Sequence, residues 1–71
     1  MTQRVIPRPT PCSERGHLIA KSGCYALRKS DGTEVWLELD AIPHHLVDSL
    51  VEVSGGLFPA NLIEVELIRP A

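Results

Sequence analysis

The chain has 71 residues, 44% of them hydrophobic, which is enough for one domain with a small core and too little for two. No apolar run approaches the roughly 20 residues that a helical membrane span needs. The net charge of −2 argues against a nucleic-acid binder that works by overall basic surplus. The charge is divided along the chain, however. Residues 1–33 carry six basic against two acidic groups, and residues 34–71 carry one against seven, so a local basic patch is still open to the first half.

Residues 1–13 read as a disordered tail, because Pro7, Pro9 and Pro11 alternate with Arg8 and Thr10 and block both helix and ladder pairing. The stretch lacks the apolar segment of a secretory signal, so the expected compartment is the cytoplasm. Cys12 and Cys24 are then expected as thiols rather than a disulfide. Domain structure is expected over 14–71. The first strand spans Glu14 to Lys21, with Gly16 marking a bulge or a close approach, and Ser22-Gly23 turns the chain.

Gly23 to Leu39 predicts a hairpin. Cys24-Tyr25-Ala26-Leu27 and Glu34-Val35-Trp36-Leu37-Glu38-Leu39 are strands, joined through Ser30-Asp31-Gly32. In the second of these, Val35, Leu37 and Leu39 share one face while Glu34, Trp36 and Glu38 share the other. Between Asp40 and Leu50 the period changes. Pro43 suits a first helical turn, and Leu46, Val47 and Leu50 fall on one face of a helix of about two turns. Val51 to Ser54 returns to alternation and is expected to end at Gly55-Gly56, with Leu57 to Ala60 as a loop. The last strand spans Leu62 to Ile68, with Ile63, Val65 and Leu67 inward.

The order strand, strand, strand, short helix, strand, strand cannot bury two faces as an open sheet of this size, so closure is expected. A helix between the third and fourth strands matches the five-stranded Greek-key barrel of the OB-fold better than an SH3-like barrel. The run G-H-L-I-A, G-C-Y-A-L-R and D-G-T-E-V-W-L-E-L-D, followed by L-V-D-S-L-V-E-V-S-G and L-I-E-V-E-L-I, resembles a family of small uncharacterised bacterial OB-fold-like domains. The resemblance covers about residues 15–69. It implies the fold and no activity.

Metal chemistry is not indicated. Cys12, His17, Cys24, His44 and His45 form no close ligand pair, and adjacent His44 and His45 diverge by about 100° on a helix. Cys24 is expected as a small core residue. No nucleophile elbow or phosphate loop accompanies Cys24, His17 or Gly55-Gly56, so neither catalysis nor a cofactor is expected. OB-folds bind ligands on strands two and three and on the flanking loops. Here those places offer Tyr25, Trp36 and Phe58 for stacking and Lys21, Arg28 and Lys29 as cations. Glu34 and Glu38, beside Trp36, would repel phosphate. The expectation is a non-enzymatic interaction module for a protein partner or a second copy. Weak single-stranded nucleic-acid binding through the same six residues is the alternative.

Overall fold

The computed structural model describes residues 8–71. Five strands form the sheet: β1 (Thr10–Lys21), β2 (Cys24–Arg28), β3 (Glu34–Glu38), β4 (Leu50–Phe58) and β5 (Leu62–Pro70). They close in a ring in the order β1-β2-β3-β5-β4, with β4 returning to β1. Only the β3–β5 pairing is parallel.

Two local signals place the first three strands. Ser22 and Gly23 both take positive φ, the twist that joins Lys21 to Cys24 by a two-residue turn. Between Arg28 and Glu34, the Lys29 amide donates to the Thr33 carbonyl at 2.8 Å. There the Asp31 carboxylate accepts from the Thr33 amide and hydroxyl at 2.9 and 2.6 Å.

The long β1 makes closure possible. Residues from Thr10 to His17 pair with β4, and those from His17 to Lys21 pair with β2. At the handover Gly16 lies against β2, so closely that a Cβ there would overlap the Arg28 carbonyl oxygen and sit 2.9 Å from its carbon. Glycine is required at that crossing. Thr10 to Ser13, expected in the tail, are thus strand residues. Pro11 is tolerated because this half of β1 has a strand neighbour on one side only. Of the rest of the expected tail, Arg8 and Pro9 are exposed and have no regular structure, and residues 1–7 lie outside the described residues.

Leu18, Leu27, Val35, Leu37, Leu46, Val51, Val53 and Ile63 form the buried core, with Tyr25, Leu39, Val65 and Ile68 packed against it. The alternation of β3 and the inward valines of β4 hold as expected. The two-turn helix does not form. In its place a single 3-10 turn, His44–Leu46, delivers Leu46 to the core. Pro43 there has ψ 77° and supplies no side-chain cap, Val47 is extended, and Asp48 has φ 69°. The segment is instead fixed to β1 by Asp48 N–H to Leu18 O at 2.6 Å and Leu18 N–H to Ser49 O at 3.0 Å.

β4 also runs past its expected end, through Gly55-Gly56 to Phe58. A Cβ at Gly55 would collide with the Glu64 carbonyl oxygen, so the glycines permit close strand approach rather than ending the strand. A register shift at Ser54/Gly55 pairs Ser54 with Leu67 and Gly55 with Val65. That bulge changes the phase of β5. Leu67, expected inward, is 54% exposed, and Ile68 takes the place against the core.

Candidate interaction face

Directly paired residues on neighbouring strands project to the same face. The register joins Ile19 to Ala26, Ala26 to Trp36, Trp36 to Leu62 and Leu62 to Phe58. These five apolar residues form one row that crosses every strand on the outside of the ring. Ala26 is buried, Ile19, Leu62 and Phe58 are half-buried, and Trp36 stands 40% exposed at the centre. Of the expected aromatic residues, Trp36 and Phe58 belong to this row. Phe58 reaches it from the end of β4, not from a loop. Tyr25 pairs with the buried Leu37 and packs on the core, so it belongs to the inner face.

The turn after β4 is clasped to β3 beside Trp36. The Trp36 amide donates to the Asn61 carbonyl at 2.9 Å, and Asn61 Nδ2 donates to the Glu34 carbonyl at 2.5 Å. Ala60 and Asn61 hold φ of 71° and 64°, a conformation that asparagine tolerates better than most residues. This fixes Leu62 and Phe58 relative to the indole.

The three expected cations each meet a carboxylate. Lys21 Nζ lies 2.7 Å from Glu34 Oε1, and Arg28 donates through Nε and Nη2 to Glu34 Oε2 at 3.0 and 2.8 Å. The Lys21 and Arg28 hydrogen bonds hold the Glu34 carboxyl below the usual carboxylate range, the Lys21 bond first. Lys29 Nζ is 3.7 Å from Glu14. A phosphate arriving at Trp36 would therefore compete with Glu34 for both neighbouring cations.

The surface also carries two depressions. One, of about 330 Å³, is lined by Arg15, Gly16, His17, Ser30 and Leu50. The other, of about 440 Å³, is lined by Glu38, Asp40, Glu64, Val65 and Glu66. No group of three or more potential ligands capable of holding a metal occurs among the described residues. Cys24 is exposed rather than in the core. Cys12 is half-buried, and its thiol is pushed up by burial and then by Glu14, against an opposing pull from Lys29. No helix among the described residues is long and apolar enough to cross a membrane.

Sequence reasoning found Trp36 but not its row. Ile19, Ala26 and Leu62 join it only through register between strands, and no local pattern encodes the Asn61 clasp. The profile of a family described as a protein of unknown function (DUF5818) matches residues 15–71. No curated protein and no solved structure matches the chain.

Proposed function

The chain belongs to the DUF5818 family, whose function is unknown, and from its geometry we propose that it is a non-enzymatic, cytoplasmic interaction module that associates through the Trp36 row. We read the ring as an OB-fold-like Greek-key barrel. The strand order, the β1 shared between β2 and β4, and the β3–β5 parallel closure support that reading. The carrying observation is the continuous apolar row across all five strands with a half-exposed tryptophan at its centre. Exposed tryptophan beside half-buried apolar neighbours is the composition of an interface centre. A backbone clasp that holds the face in advance lowers the ordering cost of binding.

The partner we assign is a protein surface, in the simplest case a second copy. Sedimentation equilibrium should show the apparent mass rising above 7.8 kDa with concentration, and Trp36→Ala should abolish that rise while leaving the fold intact. A monomer at every concentration refutes self-association through this face. Single-stranded nucleic-acid binding is the second reading, favoured by Trp36 lying next to half-exposed Lys21 and Arg28. It requires shifts at Trp36 and Phe58 on addition of oligo-dT, diminishing with salt because counterion release would drive them. The Glu34 pairings weigh against it.

A further inference from the structure

Closing the ring leaves strand edge unpaired along Thr10–Gly16 of β1 and along the end of β5. β3 pairs with β5 only from Leu62 to Glu64, whereas β5 continues to Pro70 with β4 on its other side. Among the described residues, no backbone hydrogen bond outside the strand ladders involves any residue from Val65 to Pro70. The edge is therefore open for six residues, about 20 Å at 3.3 Å each. Its side chains leave it accessible, with Glu66, Leu67, Arg69 and Pro70 all exposed. The 440 Å³ groove opens where β3 leaves β5.

The charge is one-sided at the end of this edge where β3 leaves β5; farther along, Arg69 is paired with Glu52. Glu38, Asp40, Glu64 and Glu66 surround the groove, and none has an ion-pair partner among the described cations. The carboxylates elsewhere on the sheet, Glu14, Glu34 and Glu52, are all paired. An open edge is a template for an added strand, and the surrounding charge selects which strand can come. A basic strand would be drawn to this end of the edge, whereas a nucleic-acid backbone would be repelled.

We propose that the Val65–Pro70 edge receives an extended, basic segment of a partner protein as an added strand. Ladder hydrogen bonds to β5 would supply affinity, and lysine or arginine side chains over Glu38, Asp40, Glu64 and Glu66 would supply selectivity. This site adjoins the Trp36 row through Glu38 and Glu64, but its test reads strand addition on β5 and not self-association.

The full chain, isotope-labelled, is titrated with a ten-residue peptide that alternates lysine with valine or threonine. Two control peptides are used: the same sequence N-methylated along one backbone edge, and a version with glutamate in place of lysine. The expected result is amide shifts and exchange protection from Val65 to Arg69 with the basic peptide. Binding should be at least about tenfold weaker for Glu64→Lys/Glu66→Lys and for the N-methylated peptide, and the acidic peptide should not bind. Both glutamates are exposed, and a native Trp36 emission spectrum checks that the double variant folds. Absence of shifts overturns the proposal. So does equal binding of the N-methylated peptide, which would mean charge attraction without a ladder, or equal binding to the double variant.

Discussion

Replacing Asn61 separates two contributions that the structure places on one residue. In Asn61→Ala the side-chain hydrogen bond to the Glu34 carbonyl is lost. It is solvent-exposed, so about 0.5–1 kcal/mol is at stake. Alanine must also hold φ near 64°, where an ordinary L-residue is strained by roughly 1–2 kcal/mol and asparagine by less. The sum is roughly 1.5–3 kcal/mol. A chain of this length has a total stability on the order of 4–10 kcal/mol, so the loss is a large share. Asn61→Gly loses the same hydrogen bond but takes the positive φ without strain, so its cost should be smaller than that of alanine by about 1 kcal/mol. Urea denaturation followed through Trp36, the sole tryptophan, measures both. The order wild type, glycine variant, alanine variant is the prediction. Equal costs for the two variants would show that backbone conformation is not what asparagine supplies. A loss below about 0.5 kcal/mol for alanine would show that the side-chain half of the clasp contributes nothing in solution.

Acid should weaken the fold through its paired carboxylates. Glu34 is held low by Lys21 and then Arg28, and Glu52 by Arg69 first. A depressed folded-state pKa gives stability that is complete above the unfolded value of about 4.3 and lost as pH falls through the folded value. The urea midpoint should therefore drop as pH falls below that range, and the drop should be shallower in Glu34→Gln and at high salt. Superimposable pH profiles for wild type and Glu34→Gln would rule this out. Gly16→Ala should cost about 1–3 kcal/mol, because a Cβ would force β1 away from the Arg28 carbonyl, which is backbone and cannot rotate aside. An unchanged urea midpoint, or amide shifts absent from Leu27 and Arg28, would disprove that close approach.

The parts of the fold legible in the sequence are those written locally. The Asp31-Gly32 turn and the alternation of Glu34 to Glu38 fix the β2–β3 hairpin within 15 residues. Leu46, Val47 and Leu50 imitate a helical face, but the intervening backbone, with Asp48 at φ 69°, follows its hydrogen bonds to Leu18. Only the position of β1 determines those bonds. Leu67 was illegible for a related reason. Strict alternation makes it a core residue, and one bulge, opposite Gly55 in another strand, reverses it. The candidate face shows the same division. An aromatic residue between two glutamates marks Trp36 as outward, whereas the assignment of Tyr25 to the inner face and the Glu34 pairing with Lys21 across 13 residues follow from how separate strands align.

The charge asymmetry of the sequence acquires its meaning from that alignment. Arg15, Lys21, Arg28 and Lys29 from the basic half, with Arg69, pair with Glu14, Glu34 and Glu52. Five cations meet only three carboxylates in these pairs, so the surface around them is not acidic despite the net charge of −2. Of the six remaining carboxylates, Asp31 and Asp48 lie in turns, and Glu38, Asp40, Glu64 and Glu66 collect where β3 parts from β5. A chain read by its total charge offers one weakly acidic surface. Once folded it offers two adjoining ones: an apolar row flanked on one side by the Glu34 pairings with Lys21 and Arg28, and an acidic end of the β5 edge whose carboxylates have no ion-pair partner among the described residues. Long-range steering would act at the edge and desolvation at the row, so salt should weaken association at the first and leave it nearly unchanged at the second.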